Sequence, residues 1–123
     1  MSESFNQQNL DLSALTFDEH GLIPAIVQDE NDGAVLMMAY MDKESLRRTL
    51  KEGRAWFFSR SRQSYWLKGE SSGNIVRVSR VSYDCDGDTL LLQASIQGDG
   101  VACHTGARSC FYRSLTIEGD LEI

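Results

Sequence analysis

Two short segments of the 123-residue chain hold all three of its cysteines, together with other residues that commonly bind metals. The first is Asp84-Cys85-Asp86-Gly87-Asp88, and the second, residues 103–110, reads CHTGARSC. Thiolates bind zinc well, and three protein ligands with one open position are typical of a catalytic zinc site. Cys85, Cys103 and Cys110 are therefore candidate zinc ligands. The spacing lacks a Cys-x-x-Cys pair, and cysteines that act as small hydrophobic residues are the alternative.

Three aspartates occupy alternate positions in the first segment. Oxygen donors at this spacing can turn toward one magnesium or calcium ion, so Asp84, Asp86 and Asp88 are candidate ligands of a hard cation. The segment does not match an EF-hand loop, because Thr89 stands where that loop requires glycine and Ser95 where it requires glutamate. An acidic turn that joins two strands is the alternative.

His104 directly follows one of the candidate zinc ligands. Imidazole gains and loses a proton near neutral pH, so a histidine at this position can move protons beside a metal ion. A structural role for His104 is the alternative. His20 has no such neighbours and is expected at the surface.

The basic residues are concentrated in the middle of the chain. Residues 1–42 include acidic residues and no lysine or arginine, whereas bases outnumber acids over residues 54–80. Arg60, Arg62 and Lys68 lie among serines and have the donors that bind phosphate. They are candidate substrate-binding residues, with a solvated basic strand as the alternative.

The overall composition is that of one globular domain. Hydrophobic residues make up 41% of the chain and charged residues 24%, and 123 residues are enough for a single core. We expect one domain over residues 1–123, in which residues 1–16 form a loosely held tail. The net charge of -6 argues against a general nucleic-acid binder, whose affinity rests on a basic surface.

Neither membrane insertion nor secretion is expected. The longest apolar run, residues 34–41, is far shorter than the ~20 residues of a membrane helix, and residues 1–10 contain no signal-peptide hydrophobic stretch. We therefore expect a cytoplasmic protein, in which the thiols stay reduced.

Local patterns predict an α+β domain built mainly from antiparallel strands, with one helix. Residues 22–27 and 34–40 are compatible with strands and flank Asn31-Asp32-Gly33, which indicates a hairpin turn. Asp42 is a predicted helix N-cap, and Gly53 is predicted to end that helix. Further strands are predicted over residues 55–59, 75–83, 89–96 and 111–115.

Longer motifs follow one another along the chain: AYMDKESL from Ala39, FFSRSR from Phe57, YWLKGESSGN from Tyr65, DCDGD from Asp84 and ACHTGARSCF from Ala102. On these motifs the chain resembles the phosphoribosyl-AMP cyclohydrolases, ring-opening enzymes of histidine biosynthesis. The resemblance runs from about Pro24 to Arg113. Tyr65, Leu67 and Ala107 depart slightly from the family's pattern, and none of them is a candidate ligand.

The resemblance implies an intertwined homodimer with two kinds of metal site. The three cysteines would ligate one zinc ion per subunit, with Cys85 reaching the zinc site of the other subunit, and the three aspartates would bind magnesium. Members of the family often carry a fused phosphoribosyl-ATP pyrophosphohydrolase domain. We expect a monofunctional form, because no residues remain here for a second domain.

The implied reaction is the hydrolytic opening of a cyclic amidine. Zinc-activated water would add to C6 of the adenine ring of phosphoribosyl-AMP, and the N1–C6 bond would break without loss of the amino group. Because ribose on N1 makes that ring cationic near neutral pH, C6 is already electrophilic. Three thiolates weaken the pull of zinc on water, so His104 is the expected general base. Arg60, Arg62, Lys68 and magnesium would attract the phosphates.

Two other functions stay open from the residues alone. A zinc nucleotide deaminase would also use an activated water, but its His-x-Glu and Pro-Cys-x-x-Cys pattern is absent, and Pro24 is the only proline. A non-enzymatic metal-binding module would account for the cysteines and aspartates, but not for the basic segment between them.

Overall fold

The computed structural model describes residues 11–117, which form six strands and one helix. In chain order these are β1 (Ile23–Asp29), β2 (Val35–Met41), α1 (Lys43–Glu52), β3 (Trp56–Ser59), β4 (Ser64–Leu67), β5 (Val76–Tyr83) and β6 (Leu90–Ile96). Within this part of the chain, no helix has the length and apolar character that crossing a membrane requires.

The strands form a four-stranded sheet in the order β2-β1-β6-β5 and a separate β3-β4 hairpin. Neighbours in the large sheet are antiparallel, except that β1 and β6 run parallel. The predicted α+β class, mainly antiparallel with one helix, is confirmed. The parallel pair was not predicted, because it joins strands that are far apart in the sequence. The homodimer stays a prediction.

The core lies on one face of the large sheet, because alternate residues of a strand point to the same side. β3 packs against β2 and α1 and adds the fully buried ring of Phe57 to this core. The sheet contributes buried side chains from its two central strands: Ile23, Ala25 and Val27 of β1, and Leu90, Leu92 and Ala94 of β6.

The predicted hairpin of β1 and β2 is confirmed, and its turn is built by aspartate side chains. Asp29 Oδ1 accepts hydrogen bonds from the backbone N–H of Asn31 at 2.7 Å and of Asp32 at 3.1 Å. Gly33 adopts a φ of 80°, a value that favours glycine over other residues. The turn therefore follows from local sequence.

The predicted helix is also confirmed, with both of its ends where the sequence placed them. Asp42 accepts a hydrogen bond from the N–H of Ser45 at 2.9 Å, and the Ser45 hydroxyl accepts one from the N–H of Asp42, which is a reciprocal capping box. Gly53 ends the helix at a φ of 71°, and its N–H donates to the carbonyl of Thr49.

The strand prediction needs two corrections, one for a strand that it missed and one for a segment that is not a strand. Residues 64–67 form β4, which the sequence did not predict because four residues are too short to show a periodic pattern. The strand predicted over residues 111–115 is wrong. This segment pairs with no strand in residues 11–117, and its side chains lie in solvent, with Leu115 94% exposed.

The amino-terminal segment differs in part from the expected loose tail. Leu12 and Leu15 pack against the hydrophobic core, and the N–H of Thr16 donates to the carbonyl of Gly87 at 2.7 Å. Residues 11–16 are therefore docked on the body of the domain. The rest of the predicted tail, residues 1–10, lies outside the described residues.

Candidate functional site

The second cysteine-containing segment is a loop fastened to the start of β2. We call residues 102–110 the cysteine loop. The N–H of Cys110 donates to the carbonyl of Leu36 at 2.7 Å, and the Ser109 hydroxyl donates to the carbonyl of Val35 at 2.8 Å. These bonds hold the end of the loop against the edge of the large sheet.

The cysteine loop is also closed on itself by backbone hydrogen bonds. The N–H of Ala102 donates to the carbonyl of Arg108 at 2.9 Å, and the N–H of Cys103 donates to that of Ala107 at 3.1 Å. Gly106 completes the turn by donating to the carbonyl of Cys103 at 3.0 Å. This closure brings the two cysteines of the loop side by side.

Arg108 ties the same loop to the tip of the β1–β2 hairpin. Its Nη2 lies 3.1 Å from Asp29 Oδ2, and its Nη1 lies 3.0 Å from Asp32 Oδ2. Paired guanidinium–carboxylate contacts fix geometry as well as charge. Arg108 thus sets the position of the cysteine loop relative to the sheet, a role that sequence reasoning did not assign.

The side chains of Cys103 and Cys110 lie close enough for each to affect the pKa of the other, and we call them the cysteine pair. The Thr105 hydroxyl, 3.0 Å from Cys103 Sγ, is the main cause that lowers the pKa of Cys103. Desolvation and the neighbouring charge of Cys103 raise the pKa of Cys110. The Cys103 thiol thus loses its proton more readily, and the Cys110 thiol resists because it is desolvated and because two neighbouring thiolates would repel each other.

Lys68 stands beside the cysteine pair. Its positive charge acts to lower the pKa of both Cys103 and Cys110, although for Cys110 the desolvation and the charge of Cys103 outweigh it. This position is distinct from that of the two arginines with which Lys68 was grouped on sequence. Its predicted contact with phosphate stays a prediction.

The three predicted magnesium ligands come together in the turn between β5 and β6. Residues 84–88 form this acidic turn, in which ligand oxygens of Asp84, Asp86 and Asp88 lie within 4.8 Å of one another and are exposed. The hydrogen bond with Asp84 and the repulsion from its charge raise the pKa of Asp88. A bound cation would relieve this repulsion, so the set fits a hard metal ion.

Cys85 does not complete a three-thiol site within one chain. Among residues 11–117, the three aspartates are the only set of three or more potential ligands that the fold brings together. The acidic turn leads into Leu90, which pairs with Ala25 near the start of β1. The cysteine loop is bonded to Leu36 beside the other end of β1. The two segments therefore lie at opposite ends of the sheet.

Two cavities flank the β3–β4 hairpin, and they contain three of the predicted site residues. The histidine cavity, of about 530 Å³, is lined by Arg62, Tyr65, Trp66, Leu67, Gly69, Glu70, Ser71, Ser72 and His104. The arginine cavity, of about 670 Å³, is lined by Met38, Ala39, Tyr40, Phe58, Ser59, Arg60, Ser61, Arg62 and Trp66. Lys68 lines neither of them.

The two predicted phosphate-binding arginines both line the arginine cavity. The Arg60 guanidinium carbon is 4.2 Å from the centre of the Tyr40 ring, a cation–π contact that orients the guanidinium. Arg62 lines both cavities and so connects the arginine pair with His104. The fold thus assembles cationic groups next to a titratable histidine.

Sequence reasoning missed two residues of these cavities, Trp66 and Glu70. Trp66 shares both cavities with Arg62, and Glu70 shares the histidine cavity with His104. Both belong to the YWLKGESSGN segment, where they stand two residues before and two residues after Lys68. This proximity to a predicted site residue was the signal that could have identified them. Their grouping depends on the pairing of β3 with β4, which the sequence did not reveal.

The family described as "Phosphoribosyl-AMP cyclohydrolase" matches residues 37–112, a span that includes every predicted site residue. The chain belongs to this family. The predicted family and enzyme class are confirmed.

Individual members of the phosphoribosyl-AMP cyclohydrolase family match most of the chain. The phosphoribosyl-AMP cyclohydrolase of Pelotomaculum thermopropionicum is 53% identical over 113 residues, covering 92% of this chain and 86% of the relative. The phosphoribosyl-AMP cyclohydrolase of Chlorobaculum parvum is 53% identical over 123 residues, covering 100% of this chain and 88% of the relative. A histidine biosynthesis bifunctional protein of Thermosynechococcus vestitus is 56% identical over 105 residues, covering 85% of this chain and 49% of the relative.

Proposed function

We propose that this protein hydrolyses phosphoribosyl-AMP at the N1–C6 bond of its adenine ring. The product is the phosphoribosylformimino-aminoimidazole carboxamide ribotide, an intermediate of L-histidine biosynthesis. The observation that carries the proposal is the histidine cavity, which is lined by both His104 and Arg62. His104 follows the candidate zinc ligand Cys103, and Arg62 is a candidate phosphate-binding residue. Family membership supplies the substrate.

The cysteine pair has the donor chemistry of a zinc site. Cys103 and Cys110 lie close enough to affect each other's pKa, the pKa of Cys103 is lowered, and the charge of Lys68 offsets part of the negative charge of the thiolates. Zinc bound there would supply an activated water. We assign the third ligand to Cys85 of the second subunit of a homodimer.

The placement of Cys85 supports this shared site. Its side chain is exposed at the end of the sheet opposite the cysteine pair, so a second chain can approach it. A twofold axis creates two equivalent sites, each with two thiols from one chain and one from the other. Zinc binding would then also stabilise the dimer.

The acidic turn is our candidate magnesium site. Asp84, Asp86 and Asp88 present oxygen atoms close together and exposed to solvent, which suits a hard cation that keeps several of its own waters. In the proposed homodimer, magnesium would place positive charge near the phosphates of a substrate bound at the zinc site of the other subunit.

His104 is the proton acceptor in this proposal. It is exposed on the wall of the histidine cavity, so it can take the proton that the attacking water loses. The ring then opens as the N1–C6 bond breaks, and the amino group on C6 stays with the product.

Arg60 and Arg62 bind phosphate in this proposal. Each phosphate monoester of the substrate carries about -1.5 to -2 charge at neutral pH, and the chain itself has a net charge of -6. An acidic protein needs local positive charge to attract such a ligand. The arginine cavity provides it, because both Arg60 and Arg62 line it.

We also place the reaction in the cytoplasm. All three cysteines are free thiols, and the proposed zinc site needs them in that form. A reducing compartment maintains free thiols.

Incubation of the zinc- and magnesium-loaded protein with phosphoribosyl-AMP tests the proposal. We expect ring opening, measured by mass spectrometry as the gain of one water, with no release of ammonia. AMP is the matched control, because it lacks the ribose on N1 and should stay intact. Ammonia release would indicate a deaminase, and an unchanged substrate would contradict the enzymatic proposal.

A further inference from the structure

Trp66 occupies the boundary between the two cavities of the site. It lines the arginine cavity together with Arg60 and Arg62, and it lines the histidine cavity together with Arg62 and His104. A ligand whose phosphate binds the arginines and whose ring approaches His104 can therefore contact this indole.

The indole ring of Trp66 is held in a fixed position from the core side. Trp66 pairs with Phe57 across the β3–β4 hairpin, and the two ring centres are 5.1 Å apart at an interplanar angle of 41°. Phe57 is fully buried, while Trp66 is half-buried. The ring is thus supported on one side and contributes its remaining surface to the cavities.

The surroundings of Trp66 suit a flat cation. An indole face attracts positive charge more strongly than the rings of tyrosine or phenylalanine. The carboxylate of Glu70 lines the same histidine cavity, and it adds negative charge near the place where a ring would lie. Arg62 on the shared wall is left to bind phosphate.

We propose that Trp66 is a specificity-determining residue that stacks on the cationic, N1-substituted purine ring of the substrate. This inference rests on the proposed function, because the positive charge comes from the substituent on N1. The adenine ring of AMP is neutral at the same pH. The contact would therefore favour the substrate over AMP, although both carry a phosphate.

Two nucleotides that differ by one methyl group on N1, and by the ring charge that it creates, test this inference. N1-methyl-AMP is cationic near neutral pH, and AMP is neutral, while both have one phosphate for the arginines. Their dissociation constants are measured on the zinc- and magnesium-loaded protein by equilibrium dialysis, counting intact nucleotide on each side. We expect the wild-type protein to bind N1-methyl-AMP about 3- to 30-fold more tightly than AMP.

Replacement of the ring should remove this preference. In Trp66→Leu we expect the two dissociation constants to agree within about twofold, and in Trp66→Phe we expect an intermediate preference. Trp56→Phe is the control. Trp56 lies on the neighbouring strand, donates to Glu52 at 2.8 Å and lines neither cavity, so the wild-type preference should persist.

Equal affinities in the wild-type protein, or a preference that survives in Trp66→Leu, would overturn the inference. If the leucine variant does not give a wild-type circular dichroism spectrum, the phenylalanine variant decides, and an undiminished preference there overturns it. Failure of the proposed function looks different. In that case the wild-type protein prefers N1-methyl-AMP but does not open the ring of phosphoribosyl-AMP.

Discussion

Arg108 and Asp32, which are 76 positions apart in the sequence, form a two-point contact that joins the cysteine loop to the β1–β2 hairpin. Arg108 Nη1 lies 3.0 Å from Asp32 Oδ2, and Nη2 lies 3.2 Å from Asp32 Oδ1. The carbonyl of Arg108 also closes the loop by accepting the N–H of Ala102. One residue thus links the internal geometry of the loop with its place on the sheet.

Arg108→Ala should weaken zinc binding about tenfold, because residues that orient metal ligands affect affinity by that order. The loss is measured by competition with a chromogenic chelator. Arg113→Ala is the matched control, since Arg113 follows the loop and stacks on the exposed Tyr112 ring. Equal zinc affinity in the Arg108 variant and the wild-type protein would show that the loop keeps its geometry without the contact.

Mixing two inactive variants should restore activity if the zinc site is shared between subunits. Cys85→Ala and Cys103→Ala should each lose zinc and activity alone, because too few thiolates remain. Half of randomly paired dimers are mixed, and each mixed dimer has one intact site, so about a quarter of wild-type activity should return after joint refolding. A mixture as inactive as its parents would refute the shared site.

His104→Ala should lower kcat by about 100-fold or more while changing KM much less, as expected for the loss of a general base. Steady-state kinetics with phosphoribosyl-AMP measure both constants. His20→Ala is the control, because the His20 side chain is exposed and lines neither the histidine cavity nor the arginine cavity. An unchanged kcat in the His104 variant would assign that residue a structural role.

Arg62→Ala should raise KM about tenfold and weaken the dependence of kcat/KM on salt, because a phosphate contact acts through screened charge. The measurement is kcat/KM over a series of potassium chloride concentrations. Arg54→Ala serves for comparison, since Arg54 pairs with Glu52 at 2.7 Å and lines neither cavity. The phosphate assignment fails if both KM and the salt dependence stay at wild-type values.

Glu44 should contribute to the loss of folding stability at acidic pH. Hydrogen bonds from Arg47 and Arg48 lower the pKa of Glu44 to about 2, from an ordinary value of 4.5. Because the folded state resists protonation, this group stabilises the fold above about pH 4.5, and the contribution is lost as the pH falls toward about 2.

Glu44→Gln should therefore show a smaller loss of unfolding free energy than the wild-type protein over that pH range. The effect is modest, because the Glu44 side chain is 35% exposed and solvent screens its ion pairs. Urea unfolding of the metal-free proteins at several pH values measures it. Glu19→Gln, at a position 86% exposed, should retain the wild-type pH dependence. If the unfolding free energy falls equally with pH in the wild-type protein and in Glu44→Gln, Glu44 does not contribute to the acid sensitivity.

Features that depend on neighbouring residues could be predicted from the sequence alone. The β1–β2 turn follows from aspartates that bond to their own backbone, and α1 follows from its cap at Asp42 and its left-handed Gly53. The acidic turn also brings its three carboxylates together through local spacing alone. The motifs that spread from Ala39 to Arg113 were sufficient to predict the family, which the comparisons confirm.

Contacts between distant segments, in contrast, were visible only in the folded chain. β4 is too short for its pattern to show, yet its pairing with β3 places Trp66 over Phe57 and between the two cavities. The parallel pairing of β1 with β6 separates Cys85 from the cysteine pair, although all three thiols are equivalent in the sequence. Long-range contacts depend on the register of whole strands and on burial of the core. A short stretch of residues has too few apolar positions to specify its partner strand or its register.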